Sequence, residues 1–497
     1  MSLPILIAWG AAGLLACAAP EPAASPAPAP PLAPASIAHH PIPPTTDEVW
    51  GYVEDLIEIT RRHPETHRRA GTAGEAETRA YLERRLRAFG LSSVKQDPQV
   101  FERRAYGAWS LEVAGETVPS FFLRQSAFTP DTGVRAPMVL VEDVLRDDVD
   151  VEGRIVVMPI DIPKVPVRTL VDQLADWVHD PEQTLFDGPP IWLIASARNY
   201  PGSYYVAARK GAAGFIGILP LETGTAAFYP DSSMIVSPEI PALYVGRFDG
   251  QRLIERLRTE PDLEARLTLT GTIERDARTA NVMGVLPGNT DDVLLITTHH
   301  DTGWEGGVQD ASGVAVVLAI ARYFAQQPGD IYRQKTLVFN FGTNHFGWDY
   351  PASNGIFRDH NPELFARTRA VLGVEHIAKR VEVEDGAYVP TGAVEPHVVW
   401  APRPAFLREI ARRAIVANGM TDTIMVRPGA MALIGEAKKY YFWGLPAYQI
   451  ISAPPYLYDP VDTIDMIAKE RLAPVARTSI DVVEQLMNVV PGAWIEP

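Results

Sequence analysis

Short apolar runs alternate with amphipathic segments through the second half of the chain. The runs DVLLITT, KTLVFNF, AVLGVEHI and PAYQIIS are almost continuously apolar, and segments with helical spacing, such as GVAVVLAIARYFAQQ and PAFLREIARRAIVANG, lie among them. Strands that are apolar on both faces and that alternate with helices are typical of parallel sheets covered on both sides. The pattern therefore predicts an α/β fold with a mostly parallel sheet flanked by helices.

The first part of the chain has a different pattern. In GTAGEAETRAYLERRLRAFGL, four apolar residues recur at helical spacing and Gly90 follows the last of them, which predicts an amphipathic helix that ends there. From about Gly153, short β-branched runs alternate with Gly-rich turns. We therefore predict a main domain of residues 45–130 and 275–497, interrupted by a small inserted domain of residues 131–274.

The first 44 residues are predicted to form an export segment followed by a linker. Residues 1–17, MSLPILIAWGAAGLLAC, are apolar, but they are shorter than the helix of about 20 residues that is needed to span a membrane. They end at Cys17, the only cysteine, directly after Leu-Leu-Ala, which resembles the lipobox of bacterial lipoproteins. The chain is thus expected to be exported, as a periplasmic or cell-envelope lipoprotein anchored through Cys17 or, alternatively, as a secreted protein. Residues 18–44 are Pro/Ala-rich and predict an extended linker.

Composition narrows the classes of partner. The chain has 46% hydrophobic and 21% charged residues, as soluble globular proteins do, and a net charge of −16. Nucleic acid is excluded as a partner because binding to phosphates requires a basic surface. A single cysteine also excludes a disulfide within the chain, so packing must supply the stability.

Polar side chains with metal-binding chemistry follow four of the predicted strands. They are His299 and Asp301, Asn344 and His345, Glu375, and Tyr458. In open α/β sheets, ligands bind at the carboxyl ends of the strands, so these residues are expected to converge. The sequence therefore predicts a metal site at this edge of the sheet.

These residues also carry a resemblance to a known family. Residues 45–490 resemble the zinc-dependent exopeptidases that include bacterial leucyl aminopeptidases, aminopeptidase S and glutamate carboxypeptidase. The family pattern is H-x-D, D-[NA]-x-S-G, E-E-x-G, a strand-end Asp, and a late His before D-T. Its counterparts here are His299 to Asp301, Asp310 to Gly313, Asn344 to Gly347, Glu375, and Tyr458 before Asp462-Thr463. The inserted segment resembles a protease-associated domain.

The resemblance implies a zinc ion held by His299, Asp310 and Glu375. Asp301 would lie behind the His299 imidazole and fix its tautomer. Glu375 is one methylene longer than the usual Asp. This half of the family site is complete in the sequence, so one Zn²⁺ is expected.

A second zinc would share Asp310 and would also need residues 345 and 458. The family has Glu and His there, whereas this chain has His345 and Tyr458. Imidazole is a good zinc ligand, but a phenol with an ordinary pKa near 10 must first lose its proton. The sequence therefore does not support a second zinc.

The family's general base is also replaced. Asn344 stands where the family has the Glu that takes a proton from metal-bound water, and an amide cannot accept a proton. Glu305 and Asp349 are the candidates to replace it. His300 and His376 each adjoin a predicted ligand, and strand alternation predicts that both face away from the site.

Three functions remain open on the sequence. The first is a metal-dependent exopeptidase or amidohydrolase acting on a peptide or small amide. The second is a mononuclear metal enzyme of different chemistry, and the third is a catalytically inactive homologue that binds a partner through the old cleft. The substrate, the end from which cleavage would start and the oligomeric state are not readable from the sequence.

Overall fold

The computed structural model describes residues 41–142, 149–194, 196–230, 234–328, 333–346 and 352–494. The predicted leader with Cys17, nearly all of the Pro/Ala-rich linker, and Asp349 lie outside the described residues.

Most of the described strands belong to one large sheet, and four of them form two separate two-stranded sheets. The strands are β1 (Ser92–Val113), β2 (Glu116–Val118), β3 (Ser120–Phe122), β4 (Val134–Leu140), β5 (Ile155–Pro159), β6 (Lys164–Val165), β7 (Ala175–His179), β8 (Ile191–Trp192), β9 (Gly214–Ile218), β10 (Ala242–Val245), β11 (Glu264–Leu286), β12 (Thr290–His299), β13 (Lys335–Gly342), β14 (Thr368–Val374), β15 (Lys379–Glu384), β16 (Ala387–Val394), β17 (His397–Trp400), β18 (Thr423–Val426) and β19 (Ala447–Ile451).

Helices cover this sheet. They are α1 (Thr46–Arg62), α2 (Ala73–Phe89), α3 (Val167–Leu174), α4 (Gly202–Arg209), α5 (Arg247–Thr259), α6 (Gly313–Ala325), α7 (Ser353–His360), α8 (Pro362–Arg367), α9 (Ala405–Ala417), α10 (Lys438–Phe442) and α11 (Lys469–Met487).

Four parallel strands form the centre of the sheet, in the order β13, β12, β14 and β19. These are the four apolar runs picked out in the sequence, and nearly all of their residues are buried. The predicted fold class is therefore confirmed. Because the strands are parallel, their carboxyl ends share one edge, and the register places His299 beside Gly342 of β13.

A long antiparallel ribbon of β1 and β11 connects the central strands to those of the inserted segment. Beyond β11 the sheet continues through β4, β5, β9 and β10, which are parallel to one another, and ends at β3. At the far end, β7 of the same segment pairs with β18. The predicted segment thus adds strands at both ends of the sheet, and its assignment as a protease-associated domain stays a prediction.

The most apolar helix among the described residues lies inside the protein. Among the described residues, one helical stretch, Gly307–Ala325, is long and apolar enough to cross a membrane by length and composition, but 89% of it is buried. Asp310 lies within this stretch, and its α-helical part, α6, packs against β12. Its composition is that of a core helix covered on all sides.

The predicted amphipathic helix is α2, and its ends have the expected caps. The Thr72 side chain accepts a hydrogen bond from the Glu75 N–H, and Gly90 closes the helix with φ of 90°. Only glycine adopts this left-handed conformation without strain.

Two glycines with open space around them test whether Gly90 ends α2 in the left-handed conformation. Gly51 lies within α1 and Gly90 caps α2, and an added Cβ would meet nothing within 4 Å at either position. Gly51→Ala should raise the free energy of unfolding by about 0.5–1 kcal/mol, because alanine is the better helix former. Gly90→Ala should lower it by about 1–2 kcal/mol, because φ is positive. Urea unfolding measures both, and equal effects would contradict the left-handed cap.

Candidate metal centre

His299 is the last residue of β12 and points into the carboxyl edge of the sheet. It is fully buried, and burial is the main reason that its pKa lies well below the ordinary value, so the imidazole is neutral. Its Nδ1 lies 3.0 Å from the Asp301 carbonyl oxygen. Since a carbonyl can only accept, Nδ1 carries the proton and Nε2 carries the lone pair.

Glu375 and His376 lie opposite this nitrogen. Glu375 Oε2 is 3.8 Å from His299 Nε2 and 3.8 Å from His376 Nε2. The nitrogen of His299 and the oxygen of Glu375 are buried without a hydrogen-bond partner. His376 Nδ1 lies 3.1 Å from the Ser452 carbonyl, so this imidazole, when neutral, also presents the lone pair of Nε2. One ligand atom from each of the three residues lies within 4.8 Å of the others.

The expectation that His376 faces away from the site is wrong. Strand β14 ends at Val374, and the backbone at His376 has φ of 54°, which is left-handed rather than extended. Strand alternation therefore does not apply beyond Val374. His300 does not join this group, and its Nε2 lies 3.2 Å from the Ala280 carbonyl.

Asp310 lies next to this group but is not part of it. Its Oδ1 accepts hydrogen bonds from the Gly313 and His376 N–H groups, both at 3.1 Å, and its Oδ2 accepts one from the Thr298 hydroxyl. Burial and then the charge of Glu375 raise its pKa well above the ordinary value. Asp310 thus remains a candidate metal ligand, but its carboxylate is held by protein donors.

His345 stacks on His299 and binds a carboxylate that sequence reasoning missed. The two rings are parallel within 6° at a centroid distance of 3.9 Å, and His345 Nδ1 is 2.8 Å from Glu436 Oε1. Burial acts to raise the pKa of Glu436, but the hydrogen bond from His345 is the largest of the effects that outweigh burial, and the pKa is lowered. Glu436 therefore accepts the Nδ1 proton. No strand-end pattern marks Glu436, which lies in a loop before α10.

The backbone of Glu436 also helps to orient the Glu375 carboxylate. The Glu436 N–H and the Gln449 side-chain amide, at 3.1 Å, both donate to Glu375 Oε1. These bonds orient the other oxygen, Oε2, toward the two imidazoles. Even so, burial raises the pKa of Glu375 to about 7, with the nearby charge of Glu436 adding to the effect of burial.

Asp301 supports the site from behind. Its carboxylate accepts hydrogen bonds from the His345 and Phe346 N–H groups at 3.2 and 3.4 Å, and its Oδ1 is 3.7 Å from His299 Nδ1. Asn344 precedes these two residues with a left-handed φ of 57° and is buried. Asp301 therefore fixes the loop that carries Asn344 and His345.

The remaining predicted residues have other contacts. Glu305 forms a two-pronged ion pair with Arg61 at 3.1 and 3.2 Å and accepts the Ile464 N–H at 3.0 Å. Both oxygens are thus engaged, which does not suit a replacement base. Tyr458 is buried with its ring against Phe228.

A fully buried arginine, also missed in the sequence, holds the loop that follows His299. Arg68 donates to the carbonyls of His300, Glu305 and Gly306 at 3.1–3.4 Å. Burial lowers its pKa to about 10, partly offset by four carboxylates of which Asp462 acts most strongly. Asp462 in turn accepts the N–H groups of Val308 and Gln309. Arg68 is therefore a structural cation beneath the site.

The donor set fits a divalent cation such as zinc. Two ligands bound at about 2.1 Å to a tetrahedral zinc are roughly 3.4 Å apart, close to the 3.8 Å seen between Glu375 Oε2 and each imidazole. The lone pair of His299 Nε2 and the facing oxygen of Glu375 repel each other unless a cation or a proton lies between them. A metal ion bound here would satisfy both of these orphaned atoms.

Comparisons with known proteins agree with this geometry. Residues 281–379 match the model of Peptidase family M28, and this segment contains His299, Asp310, His345, Glu375 and His376. No curated protein matches the chain in sequence.

Solved structures show the same fold. A zinc aminopeptidase from Bacillus subtilis is 17% identical, with a TM-score of 0.63 over 89% of this chain and 95% of that chain. An aminopeptidase from Aneurinibacillus sp. strain AM-1 is 19% identical, with a TM-score of 0.59 over 89% and 93%. A Peptidase M28 precursor from Shewanella amazonensis is 15% identical, with a TM-score of 0.64 over 90% and 98%. The chain thus has the fold of these peptidases.

Replacing Arg68 should test its structural role. Arg68→Met leaves buried carbonyls and the Asp462 carboxylate without their cation, so it should lower the free energy of unfolding by about 3–5 kcal/mol. The matched control is Arg61→Met, since the Arg61 side chain is 54% exposed and should cost less than about 1 kcal/mol. Urea unfolding of metal-free protein measures both. A similar small loss for both variants would show that Arg68 does not hold the loop.

Proposed function

We propose that the protein is a metal-dependent hydrolase of peptide or related amide bonds, with one zinc ion held by His299, Glu375 and His376. The observation that supports this most directly is the meeting of two imidazoles and a carboxylate oxygen, all buried, with the oxygen 3.8 Å from a nitrogen of each ring. Asp310 adjoins this group. It could become a ligand if one of its oxygens turned from the Thr298 hydroxyl toward the ion.

When bound, the metal would supply an activated water and polarise the carbonyl of the substrate. The chain's own residues hold the ligands in place. Backbone carbonyls fix both imidazole tautomers, and Gln449 and the Glu436 N–H orient Glu375. This support holds the three candidate ligand atoms within 4.8 Å of one another before any ion arrives.

We further propose that His345 and Glu436 replace the missing general base. Asn344 cannot accept a proton, but the adjacent His345 is hydrogen-bonded to a buried carboxylate through Nδ1. The Glu436 carboxylate stabilises the imidazolium that forms when Nε2 takes a proton. His345 stacks on the candidate ligand His299, so its ring lies beside the place where the water would be activated. His345 would then return the proton to the leaving amine.

Zinc content tests the ligand set. His299→Ala and His376→Ala should each weaken zinc binding by at least about 100-fold, because each removes one of three protein ligands. His300→Ala is the matched control: it changes an adjacent buried histidine that faces the other way and should retain zinc. Metal analysis after dialysis against zinc measures all three. Full zinc content in His376→Ala would rule out this ligand set.

The proton-transfer pair has a separate test. His345→Gln should lower kcat on aminoacyl nitroanilides by about 100- to 10,000-fold while zinc content stays unchanged. Glu436→Gln keeps a hydrogen-bonding partner for Ser353 but loses the negative charge. It should lower kcat less than His345→Gln does. Loss of zinc in His345→Gln would show instead that His345 is a metal ligand.

A binding function without catalysis is the second candidate. It is favoured by Asn344, which stands in the position of the proton acceptor in the family pattern, and by the engagement of Glu305 with Arg61. In this case the protein binds zinc but hydrolyses no aminoacyl nitroanilide or dipeptide. Location is likewise proposed from the sequence alone: export, with lipid attachment at Cys17 or release after cleavage.

A further inference from the structure

A buried arginine from the edge strand β3 approaches the candidate metal centre. Arg124 follows β3, is 3% exposed, and places Cζ 4.2 Å from the ring centroid of Tyr229 and 5.6 Å from that of Phe346. The Phe346 ring in turn lies 6.0 Å from that of His299. One aromatic ring therefore separates this guanidinium from a candidate metal ligand.

The Arg124 guanidinium is incompletely paired. Its Nη1 donates to the Pro230 carbonyl, and its Nε is buried without a hydrogen-bond partner. Within the part of the chain that the structure describes, no carboxylate lies within ion-pair distance of it. Burying a guanidinium without an anion is costly, and stacking on Tyr229 offsets only part of that cost. The charge is thus available to a ligand.

We propose that Arg124 is a specificity residue that binds a carboxylate group of the substrate. The unpaired Nε hydrogen lies on the edge of the guanidinium, where arginine holds a carboxylate through in-plane hydrogen bonds. Arg69, with Cζ 5.8 Å from the same Tyr229 ring, adds positive potential on that side. This proposal deepens the proposed function and depends on it for the position of the substrate.

Two kinds of peptide offer such a carboxylate near the bond to be cleaved. One is a dipeptide, whose α-carboxylate lies one residue beyond the bond, and the other is a longer peptide with an acidic side chain at that residue. Both present the same chemistry to Arg124. Short acidic or free-acid peptides, rather than neutral blocked ones, are therefore the expected substrate class.

Binding to probes that cannot be hydrolysed tests this without requiring turnover. The probes are Leu-Leu with its amide bond reduced to CH₂–NH, the C-terminal amide of the same compound, and the corresponding Leu-Asp amide. Calorimetry on the zinc-loaded full chain should give about 10- to 100-fold tighter binding of Leu-Leu acid than of its amide. If the Leu-Asp amide binds as tightly as the Leu-Leu acid, a side-chain carboxylate is sufficient for binding to Arg124. If the Leu-Asp amide binds weakly, the carboxylate that Arg124 recognises is the α-carboxylate.

Variants at Arg124 assign the effect to this residue. Arg124→Met should remove the preference for the acid and leave the affinity for the amide unchanged, whereas Arg124→Lys, which keeps the charge but not the fork, should retain part of it. Arg198→Met removes an exposed arginine of the inserted segment and should change neither affinity. If Arg124→Met does not fold, Arg124→Lys decides, because an unchanged acid-to-amide ratio in that variant would overturn a two-pronged contact.

Further results of the same experiments would overturn or support the role proposed for Arg124. Equal binding of acid and amide to the unchanged protein, or an equal loss of both in Arg124→Met, would overturn the proposal and leave Arg124 as a packing residue. Arg124-dependent binding of the acid with no hydrolysis of Leu-Leu itself would instead support the carboxylate site and refute the hydrolase function. The failures of the two proposals are therefore distinguishable.

Discussion

The site depends on the balance between buried negative charge and the cations available to offset it. Asp301, Asp310, Glu375, Glu436 and Asp462 are all buried at one edge of the sheet. Arg68 is the buried cation beneath them, and its hydrogen bonds go to backbone carbonyls and a hydroxyl rather than to these carboxylates. Carboxylates in such a place raise their pKa or bind a cation. A divalent ion between His299 and Glu375 would relieve this repulsion most directly.

The backbone brings these groups together in two ways. Parallel strands β12, β13, β14 and β19 end at the same edge, so residues that are far apart in sequence start from neighbouring positions. Left-handed residues directly after the strands, Asn344 and His376, then turn the chain back across the edge. Because of the second turn, the His376 imidazole reaches the same oxygen of Glu375 as His299 does. Position along the strand alone would have placed it on the other face.

The sequence predicted the sheet, its central helix and the strand-end positions of His299 and Glu375, because each depends on local periodicity and a short motif. It did not predict His376, since alternation says nothing beyond the end of a strand. Glu436, Arg68 and Arg124 were also missed, because their roles arise from contacts between segments far apart in the chain. No local sequence pattern distinguishes a charged residue that is buried in the fold from one that is exposed.

Charge accounting favours one ion over two. Relative to the family pattern, the chain replaces two carboxylates by Asn344 and His345, and Glu436 restores one of them through its bond to His345. The edge of the sheet therefore holds one negative charge fewer, while Tyr458 in place of a histidine offers a poorer neutral ligand. A second divalent ion would have to bind where the compensating charge and a ligand are both reduced. The same changes place an imidazole and carboxylate pair beside the proposed zinc site, where the proposed hydrolysis would need a proton acceptor.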